Sequence, residues 1–191
     1  MGLADRNPGT IKIKSTITYT MKNTQNSRTL IIDHPSDDMS TTSWGEQART
    51  IIPRSKALDR VMLQDYKAPK NFGPPVHLHR NEDEILILKQ GTIVVWTPQK
   101  SAVAKAGDTI MLPRTVPHTW RAYGDESVHM TVITAPGEFE SFISDIAKDN
   151  LTVEDTAKLT QIAYNAGMDI LGPPLSDDQV MAIINGEQLD L

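Results

Sequence analysis

No cysteine occurs among the 191 residues of the sequence, and this absence narrows the chemistry that the protein can use. Disulfide bonds, thiolate metal ligands and a cysteine nucleophile are all excluded. Imidazole nitrogens, carboxylates and other oxygen donors remain as ligands for any bound metal ion.

Clusters of positive charge and long apolar runs are missing as well. The formal net charge is −5, and the lysines and arginines form no basic run; binding of phosphate groups needs such clusters, so nucleic acid is not an expected partner. No apolar stretch approaches the roughly 20 residues that cross a bilayer as a helix. The opening residues, MGLADRNPGTIKIK, have no apolar core of a secretory signal. We therefore expect a cytoplasmic protein that does not bind membranes.

The sequence has two regions that differ in the spacing of their apolar residues. Up to Pro136, short alternating or β-branched runs are interrupted by Pro, Gly or Asn about every ten residues, a pattern typical of a β-sandwich or β-barrel. No linker separates this region from the rest, so we predict one domain over 1–191, with a β-barrel over about 11–136 and a helical extension over about 137–191. The predicted strands are Ile11–Thr20, Arg28–Asp33, Arg49–Ile52, Arg60–Tyr66, Val76–His79, Glu84–Lys89, Thr92–Thr97, Ala102–Lys105, Thr109–Leu112, His118–Ala122 and Val128–Thr134.

Helical spacing of apolar residues follows Pro136. Thr152 is the predicted N-cap of the second helix, and Ser176 with Gln179 has the pattern of a capping box for the last one. The polar segment Asp33–Glu46 is predicted to be a loop. The first predicted helix begins near Glu138, and the other two cover about Val153–Ala166 and Asp177–Ile184.

Three histidines and one glutamate are the residues whose spacing indicates a functional site. His77 and His79 are two residues apart in a predicted strand, so both side chains point to the same face. Glu84 begins the apolar strand that follows, and a metal cation would compensate the cost of burying its charge there. His118 follows the rigid turn PRTVP, and closure of a barrel can bring its strand beside the other two. Glu82 and Asp83 are expected to lie in a solvated turn.

The spacing of these residues resembles the two motifs of the cupin superfamily. Gly73, His77, His79, Glu84 and Gly91 match the first motif, although Asn71 stands where the family has its leading glycine. In the second motif, Gly107, Pro113 and His118 match, whereas Thr115 and Ala122 replace the usual glycine and asparagine. The resemblance implies a mainly β fold, a cupin β-barrel (jelly roll) with C-terminal helices. It also implies that one divalent transition metal (Fe, Ni, Mn, Co, Cu or Zn) is bound by His77, His79, Glu84 and His118.

A narrower resemblance links the chain to single-domain cupins of the quercetin 2,3-dioxygenase-like type. It rests on the pattern GPPxHxHxxxDE, which ends at Glu84, on the Val-Pro-His turn at His118 and on the tail segment LGPPL. This resemblance implies a metal-dependent dioxygenase in which Glu84 is both a metal ligand and the general base. Its partners would be a small-molecule substrate and, for a dioxygenase, O₂.

The residues on the same strand faces as Glu84 and His118 predict an apolar cavity. Leu86 and Leu88 alternate with Glu84 along their strand, and Trp120 shares the face of His118. All three are predicted to contact substrate, or to act only as core filler. An apolar cavity favours a small enol, phenol or flavonol-like molecule over a sugar. A redox-neutral isomerase, cyclase or decarboxylase and a non-catalytic ligand-binding protein remain alternatives.

A homodimer is expected from the physics of sheet edges. Exposed edge strands need cover, and small barrels have such edges. The β-rich run Ile11–Thr20 can pair across a two-fold axis and supply that cover.

Overall fold

The computed structural model describes residues 30–34, 39–41, 45–149, 151–152 and 154–191. The protein is mainly β, with eleven strands and three α-helices in these ranges. A 3₁₀ turn covers Arg54–Lys56. The strands are β1 (Ser40–Thr41), β2 (Gln47–Ile52), β3 (Met62–Ala68), β4 (Val76–His79), β5 (Asp83–Gln90), β6 (Thr92–Trp96), β7 (Ser101–Lys105), β8 (Thr109–Leu112), β9 (Thr119–Tyr123), β10 (Val128–Ala135) and β11 (Met168–Gly172), and the helices are α1 (Phe139–Asp149), α2 (Thr156–Asn165) and α3 (Asp177–Ile184).

Antiparallel sheets form the walls of the expected jelly-roll barrel. The largest sheet has six strands in the order β1-β2-β3-β10-β5-β8, and a second sheet has the order β7-β6-β9. Strands that are distant in sequence, such as β3 and β10, are therefore neighbours. A third, two-stranded sheet pairs β11 with β4. The predicted β-barrel with C-terminal helices is confirmed.

The core lies between the two larger sheets. Side chains of β3 and β10 alternate between buried and half-buried positions, as expected for strands with one face turned inward. Their inward residues meet those of β6 and β9 in one apolar cluster. Leu86, Leu88 and Trp120, which the sequence placed on inward faces, belong to this cluster. The main members of the cluster are Tyr66, Leu86, Leu88, Ile93, Val95, Leu112, Trp120, Val128, Met130 and Val132.

The C-terminal region contributes a strand as well as helices. Helix α3 has the predicted bounds, and Ser176 and Gln179 form the predicted capping box. Strand β11 was not predicted, because only pairing with β4 converts this extended segment into a strand. The prediction of Thr152 as an N-cap was wrong, since the carboxylate of Asp155 accepts hydrogen bonds from the backbone and hydroxyl of Thr152. As a result, α2 begins only at Thr156.

The N-terminal predictions were less accurate. Residues 30–34 form no strand, contrary to the predicted strand Arg28–Asp33, and the short strand β1 lies inside the segment predicted as a loop. Residues 30–34 are largely exposed, so burial does not support an extended conformation there. The run Ile11–Thr20 lies outside the described residues, and the homodimer stays a prediction. Within the described part of the chain, no helix is long and apolar enough to cross a membrane.

Gly73 allows the segment before β4 to approach β9 closely. A Cβ at this position would overlap the carbonyl oxygen of Trp120 and lie 3.0 Å from the Cα of Arg121. Both atoms belong to the backbone of β9, which must move to make room. Gly73→Ala should therefore lower the free energy of unfolding by about 1–3 kcal/mol, measured by urea denaturation. Gly172→Ala is the matched control, because its Cβ would meet the Val76 side chain at an ordinary 3.7 Å; equal losses in both variants would contradict the packing argument.

Candidate metal centre

Backbone pairing brings His77 and His118 together. His77 N–H donates to the carbonyl of His118 over 3.0 Å, and His118 N–H donates to the carbonyl of His77 over 2.8 Å. These reciprocal bonds are typical of an antiparallel bridge, which places both side chains on the same face. The centroids of the two rings lie 4.5 Å apart. His79 follows two residues later on β4, and its ring lies 5.2 Å from that of His77.

Glu84 comes to the same point from the larger sheet. It lies on β5 between Leu112 of β8 and Thr134 of β10 and is buried. The candidate ligand atoms of the three histidines and of Glu84 all lie within 4.8 Å of one another. The structure thus brings together the four residues that the sequence predicted as ligands.

Hydrogen bonds orient all three imidazoles in the same way. Nδ1 of His77 lies 2.9 Å from the carbonyl of Pro75, and Nδ1 of His118 lies 2.8 Å from the carbonyl of Val116. Nδ1 of His79 lies 2.8 Å from the carboxylate of Glu82. Because these partners accept hydrogen bonds, each Nδ1 carries the proton. The lone pair of each neutral ring is therefore on Nε2, the form required of a metal ligand.

Buried atoms without partners show that the site fits a cation. The Nε2 atoms of His79 and His118 and Oε2 of Glu84 are buried and make no hydrogen bond within the described part of the chain, although Nε2 of His118 and Oε2 of Glu84 lie 3.4 Å apart. Buried polar atoms are almost always paired, since leaving them unpaired is costly. Three imidazole nitrogens and one carboxylate suit a divalent transition metal, which would give these atoms their partner.

The protonation states of Glu84 and His77 also favour metal binding. Burial opposes ionisation of Glu84, but the neighbouring imidazoles of His118, His79 and His77 outweigh it and lower the pKa to about 2. Burial, together with the neighbouring imidazoles, lowers the pKa of His77 to about 3. Burial also lowers the pKa of His79, yet the hydrogen bond with Glu82 prevails and raises it overall. At neutral pH, Glu84 is therefore ionised and His77 is neutral, as ligands must be.

Glu82 is the site residue that sequence reasoning missed. It was predicted to lie in a solvated turn, but only 2% of its surface is exposed. One carboxylate oxygen contacts His79, and the other accepts a hydrogen bond from the backbone N–H of Phe139 at the start of α1. Asp83 does face outward, where it pairs with Arg114. The missing signal was the position of α1, whose first residue contacts Glu82 and His79, while the neighbouring Asn81 stays exposed.

The turn before His118 explains one departure from the cupin motif. Thr115 has a φ of +64°, in the left-handed region that glycine adopts without cost. Its N–H donates to the carbonyl of His79 over 2.7 Å, which ties the turn to β4. Asn71, which also stands in place of a motif glycine, has a φ of +61°. Both substitutions thus retain the backbone conformation that the glycines usually provide.

The three predicted substrate residues lie in the barrel core. Leu86, Leu88 and Trp120 are buried in the main apolar cluster. Trp120 packs edge-on against Tyr66, with ring centroids 6.2 Å apart. Their role as core residues is thereby observed, whereas contact with a substrate stays a prediction.

Comparison with known proteins agrees with this fold. Residues 66–134 match the family model described as Cupin domain, and no curated protein matches the chain. A cupin-like protein from Thermotoga maritima MSB8 has a TM-score of 0.52 at 16% identity, covering 80% of this chain and 93% of that chain.

Two further solved structures have TM-scores below 0.5. The polyketide cyclase RemF from Streptomyces resistomycificus has a TM-score of 0.48 at 19% identity, covering 56% of this chain and 80% of its own. The Cnp3 cupin domain from Schizosaccharomyces pombe has a TM-score of 0.47 at 15% identity, covering 58% of this chain and 77% of its own. Identities this low carry no information about activity. Residues 66–134 thus match the Cupin domain model, within a chain that has the cupin β-barrel fold.

Proposed function

We propose that the protein is a metal-dependent enzyme, a dioxygenase that acts on a small apolar enol, phenol or flavonol-like molecule. The observation that carries the proposal is the cluster of His77, His79, Glu84 and His118, whose ligand atoms converge within 4.8 Å inside an apolar barrel. Three neutral imidazoles and one carboxylate leave a divalent ion with a net positive charge and with room for further ligands. Such open sites are more often catalytic than structural.

Bound there, a divalent transition metal would act as a Lewis acid that polarises an enol or phenol oxygen and lowers its pKa. The proposed role of Glu84 is to serve as a ligand and to accept the proton that the substrate loses. A pKa near 2 keeps Glu84 ionised and therefore able to accept a proton. A carboxylate is a weak base, so this role favours a substrate group that the bound metal would make acidic. Enols and phenols meet this requirement better than the hydroxyl groups of sugars.

The surroundings of Glu84 are mainly apolar and favour an apolar substrate, although the neighbouring Thr134 of β10 is a buried polar residue. Leu86 and Leu88 follow it on the inward face of β5, and Trp120 lies in the same core cluster. A sugar or a phosphorylated compound would need convergent polar or basic groups.

The three arginines near the motif are engaged elsewhere. They pair with acidic side chains outside the apolar core cluster: Arg80 with Asp169, Arg114 with Asp83 and Arg121 with Asp177.

An oxygen electrode tests the proposed reaction. Protein loaded with one metal at a time is screened against enols, phenols and flavonols, and O₂ uptake is compared with substrate loss. Stoichiometric O₂ uptake that a chelator abolishes is the expected result. Turnover without O₂ uptake would instead indicate a redox-neutral isomerase, cyclase or decarboxylase. Binding without turnover would indicate a protein that only holds a small ligand.

A further inference from the structure

Glu82 is an acidic side chain that the proposed reaction does not use, although it is buried beside the metal centre. Its Oε1 lies 2.8 Å from Nδ1 of His79, and its Oε2 lies 3.2 Å from the backbone nitrogen of Phe139. Both oxygens thus have a donor, and only 2% of the residue is exposed. Burial of a carboxylate is costly unless it is paired, so this arrangement indicates a specific role.

We propose that Glu82 is a positioning residue of the metal centre, which holds His79 as a ligand without contacting the metal. Its carboxylate keeps the proton of His79 on Nδ1, so that the Nε2 lone pair points toward the other ligands. A negative charge behind an imidazole also makes that ring a stronger donor to a metal. The proposal rests on the metal centre described above but not on the reaction class, because metal affinity is measured without a substrate.

His79 differs from the other two histidines in the partner of its Nδ1. His77 and His118 donate to backbone carbonyls of residues two positions earlier, Pro75 and Val116. These neutral acceptors belong to the same chain segments as the histidines that they orient. His79 alone of the three donates to a charged side chain. Removal of that charge should therefore act on one ligand and leave the orientation of the other two unchanged.

Helix α1 holds Glu82 in place from the other side. The Phe139 N–H belongs to the first turn of α1, where backbone donors have no partner inside the helix. An acidic group at a helix N-terminus is also favoured by the helix dipole. The ring of Phe139 lies 5.7 Å from that of His79, so α1 contacts the ligand directly as well. The C-terminal extension thereby becomes part of the support of the metal centre.

Cobalt affinity tests the proposal, with competition against a chromophoric chelator as the measurement. Glu82→Gln retains the shape of the side chain but removes its charge and one of its two acceptor oxygens. We expect Co²⁺ binding to weaken by about 10- to 100-fold. Asp83→Asn is the matched control, because Asp83 is the next residue and faces Arg114 outside the site; its Co²⁺ affinity should stay within about two-fold of that of the wild type. Wild-type affinity in Glu82→Gln would overturn the proposal.

The tautomer of His79 separates positioning from a general loss of structure. Long-range ¹H–¹⁵N spectra of the metal-free protein, recorded above pH 8, report which ring nitrogen carries the proton. We expect Nδ1–H for all three histidines in the wild type. In Glu82→Ala, His79 alone should shift toward Nε2–H, while His77 and His118 keep Nδ1–H through their carbonyl partners. An unchanged His79, or an equal change in all three rings, would refute the assignment.

Discussion

His79→Ala and His118→Ala should each abolish stable metal binding. Either change removes one of four converging ligand atoms, and an alanine methyl group cannot replace an imidazole. A metal ion at this site would then have only three protein ligands. Elemental analysis should give about one metal ion per chain in the native protein and less than about a tenth of that in either variant.

His129→Ala is the control for a non-specific effect of losing a histidine. His129 lies on β10, and its Nε2 is bonded to Asp65, away from the four ligands. Its replacement should leave the metal content at the native level. Full metal retention in both His79→Ala and His118→Ala would show that the cluster is not the metal site.

Glu84→Gln should lower the turnover rate by about 10²-fold or more, the typical contribution of a general base. Glutamine has nearly the same shape, so the packing between Leu112 and Thr134 should survive. The amide cannot accept a proton as the carboxylate does, and it is a poorer ligand for a transition metal. Steady-state kinetics on a substrate found in the oxygen-electrode screen would measure the loss.

The rate must be expressed per bound metal ion, because Glu84 is also a proposed ligand. A variant that binds less metal but has the native rate per ion would be missing a ligand and not a base. Normal turnover by a fully loaded Glu84→Gln protein would exclude Glu84 as the base. Asp83→Asn again provides a comparison, since it removes the charge of the neighbouring acid and keeps an acceptor oxygen for the backbone N–H of Arg114.

Several elements follow from local signals in the sequence. The bounds of β4, β8 and α3 agree with their predictions. Strand β4 begins directly after Pro75, β8 ends directly before Pro113, and in α3 the capping box fixes the first turn. The predicted start of α2 at Thr152 was wrong, because the side chain of Asp155 accepts a hydrogen bond from the Thr152 backbone and the helix begins only after it.

The sequence by itself indicated which side chains could form the candidate metal centre. Two-residue periodicity placed His77 and His79 on one face, and Glu84 was conspicuous as a charge at the head of an apolar strand. Motif spacing then added His118. These signals are local or family-wide, so they can be read without knowledge of the packing.

Only the tertiary structure decided how that centre is supported. Glu82 lies beside His79 in the sequence, but its burial depends on Phe139, 57 residues away. The strand β11, which pairs with the histidine-bearing β4, comes from still further along the chain. Burial and strand pairing depend on which segments meet after folding. An acidic residue in a turn therefore reads as solvated until the helix that covers it is in place.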